Sequence, residues 1–164
     1  MTMGQSASDP LQSQDSFTTP DRLGYWHLWT DDGGCSRQSW CLLPAFLRGV
    51  LGPGDAPQWS HALLPEGTAF LTELPVGWRA GWHENHAPKW IFVLRGSWYV
   101  ESMDGERQIF GPGTFSFGGD QNCVPGTDGR LGHLSGQVGD EPCLQLIIQR
   151  LDDAWRCARP GYFS

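Results

Sequence analysis

Residues 90–117 read WIFVLRGSWYVESMDGERQIFGPGTFSF, and this stretch decides the fold. Short runs of β-branched and aromatic residues are separated by Gly96, by Asp104-Gly105 and by the Gly-Pro-Gly of residues 111–113. Asp-Gly between two such runs is a strong hairpin signal, because this pair readily adopts the positive φ values of a tight two-residue turn. The predicted strands in this stretch are residues 90–94, 97–102, 107–110 and 114–117.

The rest of the chain adds segments of similar length and composition, several of them ended by turn-forming residues. The run Asp-Asp-Gly-Gly at residues 31–34 ends one of them, and Pro-Val-Gly at residues 75–77 ends another. The further predicted strands are residues 23–30, 38–43, 69–74 and 144–148. Many short strands with glycine and proline between them predict an all-β chain, a barrel or a sandwich.

The domain organisation follows from where apolar periodicity begins and ends. We expect a mobile polar tail over residues 1–20, one β-barrel domain over residues 21–150 and a C-terminal extension over residues 151–164. Within the extension, residues 152–158 are expected to form one or two turns of helix. Residues 44–57 are rich in glycine and proline and are expected to be irregular.

The composition argues against several classes of function. The formal net charge is −7, and no basic patch interleaved with aromatic residues is present, so nucleic acid is not an expected partner. No apolar run approaches the roughly 18 residues that span a bilayer. Since the N-terminus also lacks a secretion signal pattern, we expect a cytoplasmic protein with no membrane partner. The five cysteines form no Cys-x-x-Cys pair, so we expect free thiols.

One segment has a more specific pattern. Residues 77–96 read GWRAGWHENHAPKWIFVLRG. This segment resembles the first motif of the cupin superfamily, which places Gly, His-x-His, Glu and Gly at fixed intervals. The two bounding glycines and His83 are in register, whereas Asn85 replaces the second His and Lys89 replaces the Glu.

The resemblance extends over about residues 23–149. The hairpin that follows the first motif is similar to the one that leads into the second cupin motif, whose final His corresponds best to His133. The resemblance implies an antiparallel β-barrel of jelly-roll type with a small molecule in its interior. Because cupins include dioxygenases, isomerases, epimerases, lyases, storage proteins and sugar-binding regulators, it does not fix a reaction.

The departures from the motif bear on metal binding. If one strand runs through the motif, His83, Asn85 and Lys89 share its inward face. The resemblance implies a divalent Fe, Mn, Ni or Zn ion, but asparagine is a poor ligand for these ions and a lysine ammonium repels them. A three-ligand metal site therefore requires His86, turned inward by a bulge, to join His83 and His133. The alternative is a metal-free interior with His86 on the surface.

Three residues are predicted to carry chemistry, with His83, Lys89 and His133 as acid/base groups. If Lys89 points inward, burial lowers its pKa and it acts as an acid/base or anchors an anionic substrate; the alternative is that its stem reaches solvent. The predicted substrate-binding residues lie close to the motifs; they are Trp82, Asn85, Trp90, Trp98, Tyr99 and Asp120. For Asp120 the alternative is a purely structural turn role, and for His27 we expect ordinary packing or a surface position.

Three functions from different classes remain open at this point. The first is an enzyme that acts on a small organic substrate in the barrel interior. The second is a metal-free protein that binds or senses a ligand, and the third is a structural or oligomerisation module. A homodimer is also expected, because the aromatic run at residues 25–29 would otherwise expose apolar area or an unpaired sheet edge.

Overall fold

The computed structural model describes residues 23–44, 47–49, 58–60, 63 and 66–163. The chain divides into two compact units, which are Met1–Asp21 with Ala45–His61 and Arg22–Pro44 with Ala62–Ser164. The tail predicted at residues 1–20 lies outside the described residues.

The described residues form twelve strands and no helix. In chain order they are β1 (Gly24–Thr30), β2 (Ser36–Leu42), β3 (Leu47–Gly49), β4 (Gln58–Ser60), β5 (Thr68–Leu74), β6 (Arg79–His83), β7 (Lys89–Arg95), β8 (Ser97–Ser102), β9 (Arg107–Phe110), β10 (Phe115–Gly119), β11 (His133–Val138) and β12 (Cys143–Gln149). The all-β prediction is confirmed for this part of the chain. It contains no helix of the length and apolarity that crossing a bilayer requires.

The larger unit contains two sheets. One has six strands in the order β2-β1-β10-β7-β12-β5, and the other has four in the order β6-β11-β8-β9. Neighbouring strands are antiparallel except β1 and β10, which run parallel. In the smaller unit, β3 and β4 form an antiparallel pair.

Side-chain alternation along the strands produces two apolar clusters, one on each face of the six-stranded sheet. Ile91 and Val93 of β7 pack in a cluster that also contains Trp98 of β8, so this cluster lies between the two sheets. Trp90 points the opposite way and packs with Tyr25, Phe117 and side chains of the C-terminal segment. We call the face of each sheet that contributes to the cluster between the sheets its inner face.

The C-terminal segment is part of the core of the larger unit. Trp155, Ala158 and Phe163 pack on the cluster that contains Trp90. The helix expected at residues 152–158 is replaced by isolated turns. The reason is visible at Cys157, whose φ of 57° is left-handed and incompatible with a continuing right-handed helix.

Each of the eight predicted strands coincides with an observed strand. Strands β6 and β11 were not predicted, because their sequences RAGWH and HLSGQV contain glycine and polar residues and lack a clear apolar alternation. Strand β4 was not predicted either, nor was β3, which lies inside the stretch of residues 44–57 that was expected to be irregular.

The physical reason given for a homodimer is not met by the structure. Strand β1 is paired on both sides, and Tyr25 is fully buried within the chain, so this aromatic run leaves no open sheet edge. Exposed aromatic area lies instead on the edge strand β2, where Trp40 is 59% exposed. The homodimer stays a prediction.

Candidate functional site

The two histidines singled out from the sequence lie side by side. Strand β11 pairs with β6 so that His133 is directly opposite His83. Their ring centroids are 4.4 Å apart and the ring planes are inclined at 48°. His133 is only 4% exposed, whereas His83 is exposed to solvent. His133 therefore forms the floor of the site and His83 its rim.

A buried carboxylate orients the inner histidine. Asp120 follows β10 and is fully buried. The Nδ1 atom of His133 donates to its Oδ2 over 2.7 Å. The backbone N and the side-chain Nδ2 of Asn85 both donate to its Oδ1, over 3.1 Å and 2.7 Å. Both carboxylate oxygens are thus engaged, and the His133 ring is fixed in one orientation.

The charge state of Asp120 follows from the balance of two effects. Burial acts to raise the pKa of Asp120, because a low-dielectric surrounding disfavours the charged form. Attraction to His133, together with the hydrogen bonds from His133 and Asn85, outweighs burial and holds the pKa below its ordinary value. The carboxylate is therefore ionised at neutral pH.

The hydrogen-bond partners determine the tautomer of each neutral ring. The Nδ1 atom of His83 lies 2.7 Å from the carbonyl oxygen of Gly81. Because a carbonyl oxygen and an ionised carboxylate only accept, Nδ1 carries the proton in both rings and each Nε2 keeps a lone pair. Burial, and then repulsion from His133, lower the pKa of His83.

Two glycines allow the site to assemble. A Cβ atom on Gly118 would lie 2.5 Å from Nδ2 of Asn85, so the Asn85 side chain packs directly against bare backbone. Gly132 has a φ of 73°, and a Cβ there would overlap the backbone of His83. Gln121 completes the support, since its Nε2 donates to the carbonyl oxygen of Asn85 over 3.2 Å. Nothing in the sequence around Gln121 distinguished it as a supporting residue.

The condition that one strand runs through residues 83–89 is not met. Strand β6 ends at His83 in the four-stranded sheet, and β7 begins at Lys89 in the six-stranded sheet, so the chain crosses between sheets. Alternation along a single strand therefore cannot bring His83, Asn85 and Lys89 to one face. Asn85 reaches the site from the crossing segment, where it is 6% exposed.

Lys89 lies on the inner face of the six-stranded sheet. It alternates with Ile91 and Val93, and its Cα is paired with that of Gly118 on β10 and with that of Gln149 on β12. Its side chain is partly buried, and burial lowers its pKa while Asp120 acts in the opposite sense. Lys89 is therefore part of the same inner surface as Asp120.

Three of the four predicted aromatic residues face away from the site. Trp82, Trp90 and Tyr99 are sequence neighbours of the inward-facing His83, Lys89 and Trp98, so strand alternation turns them outward. Trp82 lies under the guanidinium of Arg130, and Tyr99 under that of Arg107. Trp90 belongs to the opposite apolar cluster. Only Trp98 lies on the inner face with Val100, and it is 5% exposed.

The residues present do not fit a divalent metal ion. His86 lies exposed in the crossing segment. No three His, Cys, Asp or Glu side chains among the described residues are arranged to hold a metal, so the set of His83, His86 and His133 is not assembled. Asn85 and Asp120 are already paired with each other. Two imidazoles alone fall short of the three or four ligands that such ions take in proteins.

No family model and no curated protein matches this chain. Among solved structures, the chain is similar to the crystal structure of protein NMB1881 from Neisseria meningitidis. The two are 21% identical, the match covers 56% of this chain and 88% of that one, and the TM-score is 0.34. These similarities do not show a family for the chain.

Proposed function

We propose that this protein is an enzyme that catalyses proton transfer on a small organic substrate without a metal ion. The observation that carries the proposal is the buried Asp120–His133 pair, which lies directly beside the exposed ring of His83. A general base needs a free lone pair, a fixed orientation and access to substrate. The Nε2 atom of His133 has the first two through Asp120, and the rim position of His83 offers the third.

We further propose that the two sheets of the larger unit are the walls of a cupin-type jelly-roll barrel. The apolar cluster that they share supports this assignment. A second support is Gln38 of β2, whose Nε2 donates to the carbonyl oxygens of Val100 over 3.2 Å and Glu106 over 3.1 Å. These bonds link an edge of the six-stranded sheet to strand β8 and the turn after it in the four-stranded sheet.

The proposed reaction begins with a proton on a carbon next to a carbonyl group. The Nε2 atom of His133 takes this proton, the C–H bond breaks, and its electron pair forms an enolate. Asp120 stabilises the resulting imidazolium, which is the role of a carboxylate behind a catalytic histidine. The imidazolium of His133 exchanges this proton with solvent at the rim beside His83 and then donates a proton to the enolate, on oxygen or on carbon, so that the ring is neutral again. Isomerisation, epimerisation and dehydration all share this first step.

The test is solvent exchange at carbon. The protein is incubated in D₂O with three probes, 2-oxobutanoate, 2-oxobutanamide and 2-butanone, and loss of the proton signal next to the carbonyl is followed by NMR. We expect catalysed exchange with at least one probe, unchanged after treatment with a chelator. His133→Asn should slow it by about 10²–10⁴-fold, the usual contribution of general base catalysis. His27→Phe, a buried histidine outside the site, is the matched control and should exchange at the wild-type rate.

Three outcomes would overturn the proposal. Exchange that survives His133→Asn would show that this ring is not the base. Exchange that disappears with chelator and returns with Fe, Mn, Ni or Zn would show a metal enzyme. Binding of the probes without any exchange would instead support the alternative of a metal-free ligand-binding or sensing protein.

A further inference from the structure

Lys89 is the only lysine in the sequence, and its position on the inner face is unusual for an ammonium group. The neighbouring inward side chains on β7 are Ile91 and Val93, which belong to the apolar cluster between the sheets. A charged group on an apolar wall is costly unless it is paired. The position therefore calls for a negatively charged partner.

The carboxylate whose charge acts on Lys89, that of Asp120, is not free to serve as that partner. Asp120 lies two residues beyond Gly118, whose Cα is paired with that of Lys89. Its two oxygens already accept from His133 and from Asn85. None of the ion pairs formed within the described parts of the chain includes Lys89.

The electrostatic effect of burial agrees with this geometry. Burial lowers the pKa of Lys89, and the charge of Asp120 only partly opposes it. Lys89 in turn contributes to lowering the pKa of His83, so the ammonium lies within electrostatic range of the histidine pair. An anion that binds here would stabilise the charged form of Lys89 and would lie close to the proposed base.

We propose that the substrate is a small carboxylate whose carboxylate group pairs with the ammonium of Lys89. This inference rests on the proposed function, because it assigns Lys89 to the same site. A single ammonium balances a single carboxylate, whereas a phosphate dianion is better matched by several donors or by an arginine fork. A carboxylate paired with Lys89 would lie on the same inner surface as Asp120, the hydrogen-bond partner of His133.

The first test compares two ligands of the same shape and different charge. Binding of 2-oxobutanoate and of the neutral 2-oxobutanamide is measured by calorimetry, with the wild-type protein and with His133→Asn, in which the chemistry is switched off. We expect the carboxylate to bind at least about tenfold more tightly than the amide to both proteins, because only the carboxylate pairs with an ammonium. Lys89→Met should abolish this preference. Arg95→Met, at the exposed end of the same strand, should keep it.

A second measurement does not depend on a variant that has to fold. Reductive methylation with ¹³C-formaldehyde labels one side chain in the wild-type protein, because the sequence contains one lysine. Addition of 2-oxobutanoate should move this signal and raise the pKa of the labelled amine, and 2-oxobutanamide should leave both unchanged. Adding 2-oxopropylphosphonate separates the two anion classes.

The outcomes separate this inference from the proposed function. Equal binding of the carboxylate and the amide, or an equal preference in Lys89→Met, would overturn the inference even if His133-dependent exchange is found. Tighter binding of the phosphonate than of the carboxylate would overturn the choice of a carboxylate. Carboxylate binding that depends on Lys89, with no exchange, would support the inference and overturn the proposed reaction.

Discussion

Two histidines in the described part of the chain are buried, and their surroundings differ completely. His27 is fully buried on the face of β1 that packs against the C-terminal segment, with Phe117 and Phe163 beside its ring. Neither of its nitrogens has a hydrogen-bond partner within the described residues. His133 is almost as buried, yet its Nδ1 donates to the ionised Asp120. The difference shows that burial alone makes a packing residue, whereas burial with an oriented carboxylate makes a candidate base.

The comparison predicts a large pH effect on stability from His27. Burial lowers the pKa of His27 from 6.5 to about 4, and the nearby Ala158 backbone, which does not meet hydrogen-bond geometry with either ring nitrogen, acts in the opposite sense. Because the unfolded chain binds the proton more tightly, the stability from neutral His27 is complete above pH 6.5 and is lost as the pH falls toward 4. We expect a loss on the order of 3 kcal/mol across this window.

The measurement is urea unfolding of the wild-type protein and of His27→Phe at several pH values from 7 to 4. Other groups titrate in both proteins, so the difference between the two unfolding free energies isolates His27. Asp120 does not interfere. Its pKa is lowered from the ordinary value of 3.8, so the stability that its ionised form contributes is present above pH 3.8 and is lost only at lower pH. A difference that is constant with pH would mean that the His27 ring has a polar partner and does not contrast with His133.

Removing the carboxylate of Asp120 should make the surroundings of His133 resemble those of His27. Asp120→Asn keeps the shape of the side chain. Its amide nitrogen cannot accept a hydrogen bond, so the donor of either His133 or Asn85 that lies against it would lose its acceptor. We expect a loss of about 2 kcal/mol in unfolding free energy at pH 7, the usual cost of a buried donor without an acceptor. The ¹⁵N NMR signals of His133 should also show that the Nδ1–H tautomer is no longer the sole form.

A stability and a His133 spectrum equal to those of the wild-type protein would contradict this expectation. Such a result would mean that Asp120 has only the structural turn role that the sequence also allowed. His27→Phe is again the control, because it leaves the Asp120 hydrogen bonds unchanged.

Much of the fold could be predicted from the sequence because the signals are local. The turn residues around Asp104 and Gly105 and the apolar runs on either side fix strands without reference to the rest of the chain. The strands that carry His83 and His133 were missed, because their stability comes from pairing with each other and with β8. Long-range pairing leaves little trace in composition.

The candidate site could be predicted only in part, because its residues are visible in the sequence and their long-range contacts are not. His83, His133 and Asp120 were each singled out, but their contacts join residues far apart in the chain. The role of Asn85 could not be read at all, since a change from His to Asn reports the loss of a ligand and not the gain of a carboxylate partner. The contrast between His27 and His133 could not be predicted either, because the role of each histidine depends on the residues that pack around it.

The smallest predicted effect concerns the backbone beneath Asn85. Gly118→Ala would place a methyl group 2.5 Å from Nδ2 of Asn85, so that this side chain must move away from Asp120. We expect a loss of about 1 kcal/mol in unfolding free energy, at the lower end for overpacking because a side chain and not backbone has to yield. Gly81→Ala is the control, since nothing lies within 4 Å of a Cβ atom there.

The more informative readout of this pair of variants is the charge at Asp120. If Asn85 helps to hold the carboxylate ionised, its displacement in Gly118→Ala should raise the pKa of Asp120, and NMR titration of the carboxyl carbon should detect the change. Gly81→Ala should leave the titration unchanged. Because Asn85 donates to Oδ1 and His133 to Oδ2, an unshifted titration of Asp120 in Gly118→Ala would assign the ionisation of Asp120 to His133 alone. His133 would then differ from His27 through one hydrogen bond and not through a network.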